Sequence, residues 1–474
     1  MMPRSHLETA FVRVRTLLLL LLCACVLGVV PDIRVFARES APPMNLIVIL
    51  VDDLGWSDLS CMGSSFYETP HIDRLAREGV KFSQAYAACT VCSPTRAALL
   101  TGKYPARLHV TDWIAGHVMP KAKLRVPDWT MHLPHAEITL AERLKSAGYA
   151  TASIGKWHLG GADSRPEDHG FDINIGGYDR GQPPSYVAPY RIPTLKEGPA
   201  GEFLTDRESR EAVEFLRAHR DRPFFLYLPH YAVHQPLMGK PEVVAKYQAK
   251  MRAGDGHKNA VYAALIESVD DSVGRIRSEL DQLGLSSRTV IVFTSDNGGL
   301  ILGQNPPTSN APLRAGKGSC YEGGVRVPLI VHWPGLSKAG ETNATPVMTI
   351  DLLPTLLEAA RVPPMAVDGR SLTPLLRGKG SLGRDALFWH YPHYHPGGAT
   401  PYGAVREGDW KLIEFYEDSR LELYNLARDP SESRDVSGVE PARATRMLRQ
   451  LEAWRRRVGA QMPTPNPDYE PPKR

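Results

Sequence analysis

The chain has 474 residues, 43% hydrophobic and 23% charged, the composition of an ordinary globular protein with room for one large core and a smaller second domain. A net charge of only +4 is too balanced to argue for nucleic acid or a membrane surface as partner, so any anionic ligand must be drawn by local charge.

Arg4, Arg13 and Arg15 precede an apolar run from Leu17 to Val30. That run is short for a membrane span, and its basic flank suits a secretory signal, with Val35-Phe36-Ala37 as the small-residue cleavage site. A signal peptide is therefore expected over 1–37, with no stable membrane span once it is removed. Cys23 and Cys25 would leave with it. Cys61, Cys89, Cys92 and Cys320 remain; if Cys92 is consumed chemically, the other three allow at most one disulfide.

The first mature element is the run from Asn45 to Val51, a strand buried on both faces of a parallel sheet, ending in Asp52-Asp53. Adjacent carboxylates at the end of a buried strand repel and lose hydration unless a cation joins them; otherwise the pair is simply solvated. Thr69-Pro70 opens a helix that Gly79 closes. Pro94 and Gly102 bracket a second helix from about Pro94 to Thr101, which puts Cys92 at its amino end and Arg96 about one turn on. Such a place attracts anions, though a cysteine there can also be a small buried hydrophobe.

A strand from Tyr149 to Ile154 leads into Gly155-Lys156-Trp157-His158-Leu159-Gly160. Residues 161–203 are rich in Gly, Pro and Asp and read as long loops over a site. Phe224–Leu228 is another strand and delivers His230 and His234, of which His230 reads as structural. A helix from about Tyr262 to Leu283 follows, with Glu267, Asp270 and Asp271 on a partly solvated face. The strand from Thr289 ends at Asp296-Asn297-Gly298-Gly299, and a Gly-rich turn holding Lys317 leads into a strand from Val325 to His332. Beyond Asp368 the texture changes to short antiparallel strands and an arginine-rich helix from Ala442 to Val458. His390, His393 and His395 cluster there with aromatic neighbours; surface structure and a contribution to a substrate pocket are both open, with His393 and His395 the candidates for the latter. The tail over 462–474 has no core of its own.

Cys92-Ser-Pro-Thr-Arg96 followed by Leu-Thr-Gly, together with the Gly-Lys-Trp-His-Leu-Gly frame, His234 in His-x-Pro and Lys317 in its Gly-rich turn, resembles the sulfatase family over most of the chain after residue 44. The resemblance implies an alkaline phosphatase-like α/β fold: a large mixed sheet sandwiched by helices over 38–368 and a smaller C-terminal α+β domain over 369–461. It implies that Cys92 is oxidised to formylglycine by a formylglycine-generating enzyme, and that one hydroxyl of the hydrated aldehyde attacks sulfur while the other permits release. Arg96, Lys156 and Lys317 would hold sulfate oxygens, His158 would be the base and His234 the general acid. Asp52, Asp53, Asp296 and Asn297, with the modified Cys92, would ligate one divalent ion. This hard-oxygen set suits Ca²⁺ better than Mg²⁺ and lacks the histidines of a two-zinc phosphatase. The implied enzyme is exported, to a periplasmic, secreted or lysosomal-type location, and cleaves sulfate monoesters of sugars or aryl alcohols. The rival of the same nucleophile, a phosphonate or phosphate ester hydrolase, is disfavoured by Asn297.

Overall fold

The central strand β1 (Asn45–Val51) alternates its side chains between two layers, as the two-residue period of a strand requires. Ile47, Ile49 and Val51 face the helices Leu204–Ala218 and Ala260–Gln282, whereas Leu46, Val48 and Leu50 face Cys92–Thr101, Leu140–Ser146 and Leu352–Ala359. The computed structural model describes residues 43–252, 256–303 and 306–471. The expected signal peptide with Cys23 and Cys25 lies outside them, as does the end of the tail.

Eight further strands complete the sheet: β2 (Val80–Tyr86), β3 (Ala150–Ile154), β4 (Ile173–Ile175), β5 (Phe224–Pro229), β6 (Thr289–Ser295), β7 (Arg326–His332), β8 (Glu341–Asn343) and β9 (Val347–Met348). Their order is β9-β2-β7-β6-β1-β5-β3-β4, with β8 also pairing β2. All pairs are parallel except those of β7, which runs against both β2 and β6. The sheet is thus mixed, with helices on both faces. Because β7 is reversed, its amino end joins the carboxyl ends of β1, β2, β3, β5 and β6 at one rim, where α/β sheets place ligands. The turn carrying Lys317 reaches that rim by preceding a reversed strand.

A second, antiparallel sheet comprises β10 (Leu387–Tyr391), β11 (Tyr402–Glu407), β12 (Trp410–Phe415) and β13 (Arg420–Asn425). The Pro441–Val458 helix covers it with Ala444, Met447, Leu451, Trp454 and Val458, and Trp454 stacks on Phe388 at 4.9 Å. From Pro43 onward the chain forms one compact unit. The tail is tied down: Thr464–Pro465 pairs with Leu124–Arg125, and the Asn466 amide donates to the Pro120 and Ala122 carbonyls.

Several local expectations need correction. Thr69 does not cap the Pro70–Glu78 helix; its hydroxyl donates to Asp73, and Asp270 accepts the His71 and Ile72 N–H groups instead. Asp270 is therefore buried, not part of a solvated face. The Pro241–Lys250 helix carries no clear apolar period and goes unseen in the sequence. Cys61, Cys89, Cys92 and Cys320 are all free thiols, so no disulfide forms among them. Among the described residues no helix is long and apolar enough to cross a membrane.

Candidate active site

Backbone hydrogen bonds bind the rim loops to one another. Asp52 N donates to Ala232 O at 3.0 Å, Val233 N to Asp52 O at 2.9 Å, Lys156 N to Pro229 O at 2.7 Å and Asp296 N to Val51 O at 3.2 Å. The Lys317 turn is tied in by Lys317 N to Gly299 O and Gly318 N to Thr90 O, at 3.1 and 3.0 Å. Asn297 is brought close because Gly298 lacks a side chain: a Cβ there would lie 1.8 Å from the Gly323 carbonyl. Asp53 and His158 adopt left-handed backbone angles, φ 62° and 57°, a strain of about 1–3 kcal/mol each that clusters at functional sites.

Cys92 is the first residue of the Cys92–Thr101 helix, every residue of which is buried. Its Sγ lies 3.5 Å from Asp52 Oδ1 and 3.5 Å from Lys317 Nζ. Lys156 donates to Asp52 Oδ2 at 2.6 Å, and Lys317 to Asp53 Oδ2 at 2.9 Å. Arg96 donates to Asp296 Oδ2 through Nε and a terminal nitrogen at 2.9 and 2.7 Å, and to the Lys156 carbonyl at 3.1 Å. Three carboxylates thus face three cations, all buried except the partly exposed Lys317. Burial pushes the Cys92 thiol up to about 12 against the pull of Lys156 and Lys317, so the unmodified thiol is a poor nucleophile at neutral pH. Burial raises Asp53 as well, but Lys317 and His234 more than offset it and hold the carboxyl below its usual range.

The two catalytic-candidate histidines differ in how their nitrogens are used. His158 Nε2 meets the Ile114 carbonyl, which makes Nε2 the protonated nitrogen; Nδ1 is buried without a partner and keeps its lone pair. Burial and Lys156 drive His158 well below the ordinary imidazole range. His234 Nδ1 donates to Gln235 O at 2.9 Å, and Nε2 lies 3.6 Å from Asp53 Oδ2. Burial and Lys317 lower His234 to about 3. His230 is structural, fully buried between Glu208 at 2.5 Å and Ser272 at 2.9 Å.

A metal fits the donor set. Asp52, Asp53, Cys92 and His234 offer ligand atoms within 4.8 Å of one another, and the buried Asn297 Oδ1 has no partner among the described residues. Asp296 stands beside this group, its Oδ1 accepting from Asp53 N at 3.2 Å and its Oδ2 from Arg96 at 2.7 Å.

Above Cys92 opens a cavity of about 600 Å³, within the roughly 300–1,000 Å³ usual for small-ligand sites. His158, His234, Lys317 and His395 line it. His393 does not: it is fully buried, bonded to Thr111 Oγ1 at 2.8 Å and packed edge-on against Trp129. His390, at 4% exposure, is also interior, so the cluster is not surface structure. Sequence reasoning missed the wall residues Trp113, Ile114, Leu300 and Asp179 to Gln182. Only the last carried a signal, its place in the Gly-Pro-Asp-rich loop region.

The sulfatase profile matches residues 44–362, and the profile of the N-sulphoglucosamine sulphohydrolase C-terminal region matches 316–456. The chain belongs to the sulfatase family. As a sulfatase it is a hydrolase of sulfuric esters. It is 34% identical to a sulfatase of Formosa agariphila, with 88% of this chain and 89% of that one covered. It is 36% identical to the N-acetylgalactosamine-6-sulfatase of Rattus norvegicus, covering 87% and 79%. The crystal structure of Ps i-CgsB, also solved in complex with k-i-k-neocarrahexaose, superposes with a TM-score of 0.75 at 30% identity, covering 90% of this sulfatase and 94% of that chain.

Proposed function

We propose that this sulfatase is exported and removes sulfate from sulfated sugars, with Cys92, after oxidation to formylglycine by a formylglycine-generating enzyme, as its nucleophile. The observation that carries this reading is the convergence of Asp52 and Lys317 on one sulfur, each at 3.5 Å, from distant parts of the chain. Hydrated formylglycine supplies a hydroxyl for attack and a second one for release of sulfate. Asp52, Asp53, Asp296 and Asn297, beside residue 92, would hold a calcium ion, which would supply Lewis-acid stabilisation of charge on sulfate oxygen.

The remaining work falls to side chains of this protein. Lys156 and Lys317 bind sulfate oxygens from fixed positions, and Arg96, locked on Asp296, keeps the carboxylates and the Lys156 backbone in register. His158 Nδ1, the free lone pair, accepts the proton of the attacking hydroxyl. A sugar alkoxide leaves poorly, so a general acid is needed, a task commonly contributing about 10²- to 10⁴-fold. With its Nδ1 proton held by Gln235 O, His234 takes up a second proton from solvent at Nε2, beside Asp53, when the anionic substrate binds, and passes that proton to the leaving oxygen. Residues 38–368 carry this chemistry, and 369–461 add His395 to the pocket wall. Sugar specificity is supported by the names of the two carbohydrate-related relatives above and by a cavity with room for a ring.

The test is matched ester hydrolysis. With 4-nitrophenyl sulfate and 4-nitrophenyl phosphate, sulfate release should dominate and Cys92→Ala should abolish it while the protein still folds. Preference for the phosphate ester, or undiminished turnover by Cys92→Ala, would overturn the assignment.

A further inference from the structure

A second cavity, of about 390 Å³, adjoins the catalytic one and shares Leu302, Lys317 and His395 with it. The partition between them is thin. A Cβ on Gly318, whose φ is +86°, would lie 2.1 Å from His395 Nδ1, so the Lys317 turn and the His395 loop are in direct contact. His395 Nδ1 accepts from Gly397 N at 3.0 Å, which places its proton on Nε2; among the described residues no partner takes that donor. At the ordinary size of ligand sites, each cavity accepts a ring of its own.

The lining of the second cavity suits a sugar and not an ion. Ile301 and Leu302, 36% and 37% exposed, put two adjacent apolar side chains on its wall. Phe415 adds an apolar wall, with the Arg420 guanidinium 4.0 Å over its ring. Arg420 is already paired with Glu422 and Asp418, so it is not a spare anion receptor. Ser319 and Thr400 supply hydroxyls. Apolar faces with hydroxyl donors at their edges match the apolar face and hydroxylated rim of a pyranose.

We propose that this second cavity is a subsite for the sugar next to the sulfated one, so that the natural substrate is an oligosaccharide or polysaccharide spanning both cavities past His395. This deepens the sulfated-sugar reading and rests on it. Sulfated monosaccharides and their di- and tetrasaccharide counterparts from galactan and galactosaminoglycan series, with 4-nitrophenyl sulfate as reference, test it. For whichever sugar is turned over, kcat/KM should rise at least tenfold from the monosaccharide to the longer forms. Thr400→Trp, which narrows only the second cavity, should remove most of that advantage as a ratio to the aryl sulfate rate; Ile301→Asp, at an exposed position, is the variant to use if Thr400→Trp does not fold. Equal kcat/KM at all lengths, or a length advantage that survives both substitutions, would overturn the subsite. Turnover of the aryl sulfate with no turnover of any sulfated sugar would overturn it too but leave the sulfatase chemistry standing; loss of both would instead reject the proposed function.

Discussion

Asn297 donates its amide to Asp53 Oδ1 at 2.7 Å and leaves its own Oδ1 buried with no partner among the described residues. An orphaned amide oxygen inside a carboxylate cluster costs about 1–3 kcal/mol unless something positive meets it. A calcium ion bound there would meet it. Added to chelator-treated protein at a hundredfold excess over its Kd, calcium should stabilise the fold by about 2.7 kcal/mol and raise the melting temperature. In Asn297→Ala the same concentration should produce a smaller rise; an equal rise would remove Asn297 from the ligand set.

Arg96 holds Asp296 with two nitrogens and the Lys156 carbonyl with a third. A lysine keeps the charge but not the planar fork. Arg96→Lys should fold, as judged by circular dichroism, and lose at least about 10² in kcat, the scale seen when one preorganised stabilising group is removed. A variant within threefold of the parent would show that charge alone suffices there.

Lys411 of β12 lies 3.0 Å from both Glu322 and Glu432, all three at or near zero exposure, and Glu432 also accepts the Glu322 N–H. Removing the cation strands two buried carboxylates. Lys411→Met should therefore destabilise the protein by about 3–5 kcal/mol in urea unfolding, and adding Glu432→Gln should recover part of the loss. Because Glu322 sits just after the Lys317 turn, the second sheet is fastened to the catalytic one at this point.

Burial lowers His390 to about 4, against the opposing Gln461 carbonyl that Nε2 meets at 2.8 Å. The folded state keeps this imidazole neutral where the unfolded chain, titrating near 6.5, takes up a proton. Stability from this group is complete above about pH 6.5 and is lost as pH falls toward 4, at up to about 1.4 kcal/mol per pH unit. Unfolding free energies measured between pH 7 and 4 should fall less steeply in His390→Gln. An unchanged slope would show that His390 does not titrate this way.

Much of this was legible because local signals and tertiary structure agree. The apolar runs that lead to Asp52, Asp296 and His234 form strands with their carboxyl ends at one rim, and Pro94 and Gly102 frame the helix that begins at Cys92. Where contacts are long-range, the sequence was silent. Asp270 caps a helix 199 residues away in the chain, which no local pattern encodes. Trp113 and Leu300 join the pocket wall from irregular segments, and His393 and His395, two residues apart, separate into interior packing and cavity lining because the chain turns between them.

A formylglycine mechanism stands or falls on the chemical state of residue 92. Peptide mass spectrometry across Ala88 to Lys103, on protein purified with sulfatase activity from a host that carries the converting enzyme, reads it directly. An aldehyde in place of the thiol, in proportion to specific activity, is the expected result. Full activity in protein whose Cys92 is entirely unmodified thiol would contradict a formylglycine nucleophile.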